Sequence, residues 1–270
     1  MPNQLSGSRA IITGGGGGIG SASARLLARD GALVTIVGRT EARLRDVQSR
    51  LADEGLKVEC FVADALDAAQ VRAAVEAAAD DQGRLHIAVA VPGKGLFKPI
   101  LLYGDDEFDE NIRANIRPTF LLLKYAGRAL VRAGGGSFVA ISTHAASMSA
   151  RYLSSYSAGK AAIDQLVRIA ADELGRFNIR VNSVQPGFTR TPPTSRTFEN
   201  EDVVQEFLRR QPIARPGEAE DQANAVRYFA GPESSWVTGQ VITVDGGNTL
   251  RSFIDNSALF PDQGDPANWT

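Results

Sequence analysis

The sequence predicts an α/β chain with one doubly wound parallel sheet of about seven strands, helices on both faces and a single domain. Three observations predict it. Short β-branched runs alternate about six times with longer segments rich in Ala, Leu, Arg and Glu. The first run passes through a cluster of glycines straight into a helix. No interdomain linker, repeat or low-complexity tract breaks the 270 residues, a length at which α/β sheets often stay single.

The strands, in order, are RAIIT (9–13), ALVTIV (32–37), KVECFV (57–62), LHIAVAV (85–91), SFVAIS (137–142), IRVNSV (179–184) and QVITV (240–244). Their near-continuous apolar texture is that of strands covered on both faces. The intervening segments 19–30, 41–54, 67–81, 106–132, 155–176 and 218–230 read as helices. Strand followed by helix, repeated, gives right-handed crossovers and parallel pairing. The stretch 186–200, rich in Pro, Thr and Arg, reads as the longest irregular segment. Such a loop in a compact domain is usually a lid or binding loop. We therefore divide the chain into a domain 1–250, with a substrate loop at 188–213, and an extension 251–270. Phe253, Phe260 and Trp269 are large apolar residues for a tail, and predict that it is buried.

Composition excludes several classes. Lys plus Arg number 29 against 31 Asp plus Glu, interspersed, which disfavours a nucleic-acid or anionic-membrane surface. No apolar run approaches the roughly 20 residues of a membrane helix, and the first eight residues carry no secretory pattern. A cytoplasmic location is the default. Cys60 is the single cysteine and reads as a buried strand residue. His86 and His144 form no cluster with metal-ligand spacing, so no metal is expected.

Gly14–Gly18, Ile19 and Gly20 follow the first strand and open a helix. Backbone there can approach a pyrophosphate closely, and the helix directs free N–H groups and its positive end at the phosphates. This is the position of a dinucleotide site on a Rossmann-type sheet. The second strand ends in Gly38-Arg39, where sites for NAD place a carboxylate. The next acidic residue, Glu41, falls in the following helix. Arg39 can instead pair with a 2′-phosphate, which favours NADP(H) and leaves NAD(H) possible. As a plain alternative, Arg39 is a solvated charge.

Tyr156 and Lys160 lie one turn apart on one face of a helix. A phenol of pKa about 10 is a poor acid/base at neutral pH, and a neighbouring cation favours its ionised form. Tyr156 could then exchange a proton with an alcohol or carbonyl oxygen.

With Asp64, Asn115, Pro186-Gly187 and Asp245-Gly246-Gly247 added to these motifs, residues 5–249 resemble the classical short-chain dehydrogenase/reductase family. The resemblance implies that Tyr156 is the acid/base, that Lys160 holds the ribose hydroxyls and lowers the tyrosine pKa, and that Asn115 positions a water. It implies cofactor contacts from Gly14, Gly16, Gly17, Gly18, Ile19, Gly20, Asp64, Ala65, Gly93, Tyr156, Lys160, Pro186, Gly187, Thr189 and Thr191. Two departures stand out. Ala90-Val91-Pro92-Gly93 replaces the family's Asn-Asn-Ala-Gly, removing two bracing amides. The family's serine, thirteen residues before the tyrosine, is Thr143 here, with Ser142 beside it. Side chains alternate along a strand, so one of the two should face the site, and the spacing favours Thr143. His144 reads as a loop residue.

Gly95, Leu96, Phe97, Ala145, Met148, Tyr152 and Phe188 are the candidate substrate lining, a mainly apolar set that favours a hydrophobic alcohol or ketone. Arg151, Arg190 and Arg196 could instead select a carboxylate or phosphate, or be solvated loop charges. The helices at 106–132 and 155–176 carry apolar residues on more than one face. In similar proteins these helices pair across a twofold axis, so a homo-oligomer, preferably a tetramer, is expected. Two other functions fit parts of the pattern. One is a non-catalytic NADP(H) sensor, favoured by the altered 90–92 stretch and Thr143. The other is an epimerase or dehydratase, disfavoured by the short region after Tyr156.

Overall fold

The computed structural model describes residues 4–251. The extension, with Phe253, Phe260 and Trp269, lies outside the described residues apart from Arg251. Seven strands form one parallel sheet: β1 (Arg9–Thr13), β2 (Leu33–Gly38), β3 (Val58–Val62), β4 (Ile87–Ala90), β5 (Gly136–Ile141), β6 (Ile179–Pro186) and β7 (Val241–Val244). Their order is β3-β2-β1-β4-β5-β6-β7. The chain moves outward from β1 to β3, then returns to β4 on the other side of β1. That reversal opens a crevice at the carboxyl ends of β1 and β4, the place where open α/β sheets bind ligands.

Helices cover both faces, and each face has its own core. On one, Leu122 and Leu130 of α4 (Asp105–Arg132), Ile163 and Val167 of α5 (Ser154–Gly175) and Val71 of α3 (Ala68–Ala78) pack on Phe138 and Val181. On the other, Leu27 of α1 (Gly18–Arg29), Leu44 of α2 (Glu41–Asp53) and Val226 of α8 (Ala219–Ala230) pack on Ile12, Ile36 and Val139. Alternate residues of each strand serve opposite cores, which is why the strands read as unbroken apolar runs. Outward-facing apolar side chains remain on α4 (Phe120, Val131) and on α5 (Ile169). Among the described residues no helix is long and apolar enough to cross a membrane, and no group of three or more potential metal ligands occurs.

Two expectations need correction. Cys60 is half-buried rather than buried, because β3 is an edge strand. Residues 186–200 are also more ordered than their composition suggests. β6 continues to Pro186, a 3-10 turn spans Pro192–Thr194, and α6 (Ser195–Phe198) and α7 (Glu201–Arg210) follow. The Pro and Thr residues sit at helix starts, where a missing N–H is harmless. Asn200 Oδ1 accepts from Val203 N at 3.2 Å and caps α7. Acidic Glu201 and Asp202 occupy its first turn and basic Arg209 and Arg210 its last, as the helix dipole favours.

Candidate active site

The glycine segment turns from β1 into α1 at the crevice. Gly17 caps α1 without a side-chain bond, and no acidic residue stands in the first turn. Among the described residues, the N–H groups of Gly18, Ile19 and Gly20 have no backbone acceptor, whereas Ser21 N already bonds Gly17 O. Three adjacent free donors at a helix N-terminus are the arrangement a pyrophosphate requires. A Cβ on Gly18 would stand 2.9 Å from Thr191 Cγ2, so the loop after β6 closes directly over the helix start. The residues therefore fit a dinucleotide. Val91 lies against the same segment, its Cβ 3.1 Å from where a Gly14 Cβ would be. An apolar contact occupies the region from which the two amides are missing.

At the end of β2, Arg39 is exposed and has no ion-pair partner among the described residues, while Glu41 is engaged by Arg45 at 3.4 Å. Sequence reasoning missed Arg43. Its Cβ would be 3.3 Å from a Cβ on Gly16, beside the glycine segment, and it too lacks an ion-pair partner there. Arg39 lies before the start of α2 and Arg43 within it, so no helical spacing in the sequence pairs them. After β3, Asp64 Oδ1 accepts from Leu66 N at 2.9 Å, with Ala65 between them.

On the other side of the crevice, the end of β5 separates two hydroxyls. Ser142 Oγ donates to Asp164 Oδ2 at 3.0 Å and also approaches Lys160 O at 3.2 Å. Ser142 thus faces inward, away from Tyr156. Thr143 is extended, and its Oγ1 accepts from Ala145 N at 3.3 Å. The strand alternation expected at 142–143 is realised with Thr143 beside the tyrosine. Burial pushes the Tyr156 phenol above its usual pKa, and the nearby Thr143 hydroxyl opposes that rise. Lys160 Nζ donates to Ile141 O at 2.7 Å and to Pro92 O at 3.3 Å. Burial lowers the Lys160 pKa to about 8, against the charge of Asp164, which acts to raise it.

Asp164 was not foreseen. Buried on α5 one turn beyond Lys160, it accepts from Ser142, from Ser183 Oγ at 2.8 Å and from Gln185 Nε2 at 2.8 Å. Gln185 Oε1 in turn accepts from Thr243 and Ser147. Asn115 is fully buried, with Oδ1 accepting from Lys94 N at 3.0 Å and Nδ2 donating to Lys94 O at 3.1 Å. Gly93 is needed beside it. A Cβ there would stand 2.8 Å from Lys160 Nζ and 3.0 Å from Asn115 Oδ1.

The candidate substrate residues divide. Ala145 is buried and Met148 half-buried, beside Thr143. Tyr152 is exposed with a φ of 71°, an uncommon backbone for a bulky residue. Phe97 is 72% exposed and, with Ile100, Leu101 and Leu102, forms an apolar lip after β4. Phe188 is instead buried in the loop itself, stacked between Phe198 at 4.1 Å and Phe207 at 4.0 Å. Arg190 covers Phe198 at 4.3 Å and pairs with Glu218 at 3.4 Å, whereas Arg151 is exposed. Pro186 ends β6 beside β7, Gly187 N just after it donates to Val244 O at 3.0 Å, and Gln222 Nε2 donates to Thr189 Oγ1 at 3.1 Å. His144 opens a three-residue 3-10 turn, and its Nδ1 is buried without a partner among the described residues.

The chain matches the family described as enoyl-(acyl carrier protein) reductase over residues 15–249. A tropinone reductase homolog from Arabidopsis thaliana is 34% identical over 93% of this chain and 95% of its own. A short-chain type dehydrogenase/reductase from Mycobacterium ulcerans shares 37% identity, with a TM-score of 0.88 and 97% of each chain covered. A gluconate 5-dehydrogenase from Burkholderia cenocepacia, solved with NADP and tartrate, shares 29% identity at a TM-score of 0.84, over 91% of this chain and 96% of its own. A 7α-hydroxysteroid dehydrogenase, solved with NADH and 7-oxo glycochenodeoxycholic acid, shares 32% at 0.85 with the same coverage.

Proposed function

The chain belongs to the short-chain dehydrogenase/reductase family, and from that premise we propose that it transfers hydride between NADP(H) and an apolar alcohol or ketone. It is an NAD(P)-dependent oxidoreductase; the substrate and the residue roles are our reading. The observation that carries the reading is the Tyr156 phenol, with the Thr143 hydroxyl near it, one turn from buried Lys160 on the same face of α5.

When bound, the nicotinamide supplies or accepts the hydride at the carbinol carbon. In reduction, Tyr156 gives its proton to the substrate oxygen while Thr143 donates a second hydrogen bond to it. The raised phenol pKa keeps that proton in place at neutral pH. Lys160 has three protons, two of them directed at Ile141 O and Pro92 O, which leaves one for a ribose hydroxyl. Asn115 fixes the Lys94 backbone beside that lysine. The apolar lip and Met148 favour an apolar substrate body. Arg190 is already paired and stacked, which weakens the case for an anion-selecting site there. The test is NADPH oxidation against a panel of ketones, aldehydes and quinones. Binding of NADPH with turnover of none would point to a sensor.

For the cofactor, the free Arg39 and Arg43 support NADP(H), with Arg39 on the 2′-phosphate. A charge-assisted bond of about 1.5–3 kcal/mol corresponds to about 10- to 100-fold in affinity. Arg39→Ala is therefore expected to weaken NADPH binding by about that factor and to leave NADH binding nearly unchanged. Titration of both cofactors against both proteins decides it. Equal losses would remove Arg39 from the 2′-phosphate site.

A further inference from the structure

A chain of buried polar groups runs away from Asn115 and is used by nothing described so far. Asn115 Nδ2 lies 2.9 Å from Asn111 O and 3.2 Å from Asn111 Oδ1. Ser155 Oγ donates to the same Oδ1 at 3.0 Å. Tyr103 OH stands 2.9 Å from Ser155 Oγ and 3.3 Å from Leu96 O. Asn111 Nδ2 donates to Lys94 O at 3.3 Å. Asn111, Asn115 and Ser155 are all buried.

Donor accounting fixes the direction of this chain. Ser155 has one proton and directs it at Asn111, and the single Tyr103 proton is shared between Ser155 Oγ and Leu96 O. Both Asn115 and Ser155 then point at Asn111, whose amide oxygen accepts from each side. Amide protons do not hop along such a path, so the arrangement holds groups in place rather than moving a proton. What it holds is the lip. Lys94 and Leu96 begin it, Tyr103 ends it, and Phe97, Ile100, Leu101 and Leu102 lie between. A further bond, Lys98 N to Tyr152 O at 2.8 Å, ties its middle to the segment before α5. Ser155 is the residue immediately before Tyr156.

We propose that Asn111, Ser155 and Tyr103 are positioning residues that fix the 94–103 lip against α5 beside Tyr156, and so set how the substrate's apolar body is presented. This rests on the oxidoreductase reading for its effect on turnover, but not for its effect on the lip. Unsatisfied buried polar groups are costly, so the chain is stable only when complete.

The experiment compares Tyr103→Phe and Asn111→Leu with the parent protein, first by hydrogen exchange. Tyr103→Phe removes one oxygen from a half-buried residue and keeps the ring against Phe108, so it stays folded even if Asn111→Leu does not. Amides within 94–103 are expected to exchange about tenfold faster, with the β1–α1 segment and NADPH affinity unchanged. With any carbonyl that the panel identifies, KM should rise severalfold while kcat stays within about twofold. Unchanged exchange in 94–103, or acceleration spread evenly over the chain, overturns the proposal. A panel with no turnover overturns the oxidoreductase reading alone, because the exchange result stands without a substrate.

Discussion

Tyr156→Phe lowers turnover by about 10²- to 10⁴-fold, the usual range for a positioned general acid or base. The substitution deletes one oxygen and keeps the ring, so NADPH affinity and the fold should change little. In reduction, the parent rate should fall as pH rises through the Tyr156 pKa, because the proton to be donated is then lost. In oxidation the same group acts as a base, so the rate should rise over that range. Burial displaces the pKa upward, which places both limbs on the alkaline side. Steady-state rates across pH in both directions check this. A Tyr156→Phe protein with a tenth or more of parent turnover would exclude the phenol as the acid/base.

Thr143→Ala is the second large effect. As hydride arrives, negative charge grows on the substrate oxygen, and a fixed second donor stabilises it. Removing such a donor typically costs about 10²–10³ in rate. The Thr143 hydroxyl neighbours the Tyr156 phenol, which places it within reach of an oxygen that phenol protonates. Its methyl group limits rotation about χ1, so the oxygen is held in one direction. Turnover should fall by about that factor with NADPH affinity almost unmoved. Thr143→Ser should keep much of the activity. Ser142→Ala should act differently, because Ser142 serves Asp164, and its cost should be seen in stability. A crippling Ser142→Ala beside a nearly silent Thr143→Ala would reverse the two roles.

The elements of this fold that were legible in the sequence carry their signal locally. The glycine segment, Arg39, and the Tyr156–Lys160 spacing need only a short window to be read. The strands declare themselves because both faces are covered. What escaped depends on contacts between distant segments. Asp164 looks like any polar helix residue until Ser142, Ser183 and Gln185 converge on it. Asn111 and Ser155 are 44 positions apart, and nothing local marks them as partners. Phe188 suited a substrate wall by composition, yet Phe198 and Phe207 enclose it. α7 carries an apolar stripe at helical spacing, Val203, Val204, Phe207 and Leu208, but it adjoins the Pro- and Thr-rich stretch and is absorbed into the loop read there.

The Asp164 carboxylate also bears on how this protein can change. It joins α5 to the ends of β5 and β6, and through Gln185 reaches Thr243 on β7. A substitution at any of these positions disturbs one shared acceptor, so its effects are not independent of the others. The 94–103 lip, held by Asn111, Asn115 and Ser155 instead, lies outside this network and contributes no strand to the sheet. Residues there can be exchanged singly, which lets new substrate shapes be explored while the acid/base geometry stays fixed. For mutagenesis libraries the division is practical: diversity belongs at Phe97, Ile100, Leu101, Leu102 and Met148, and Ser142, Asp164, Ser183 and Gln185 are best left as one inherited block.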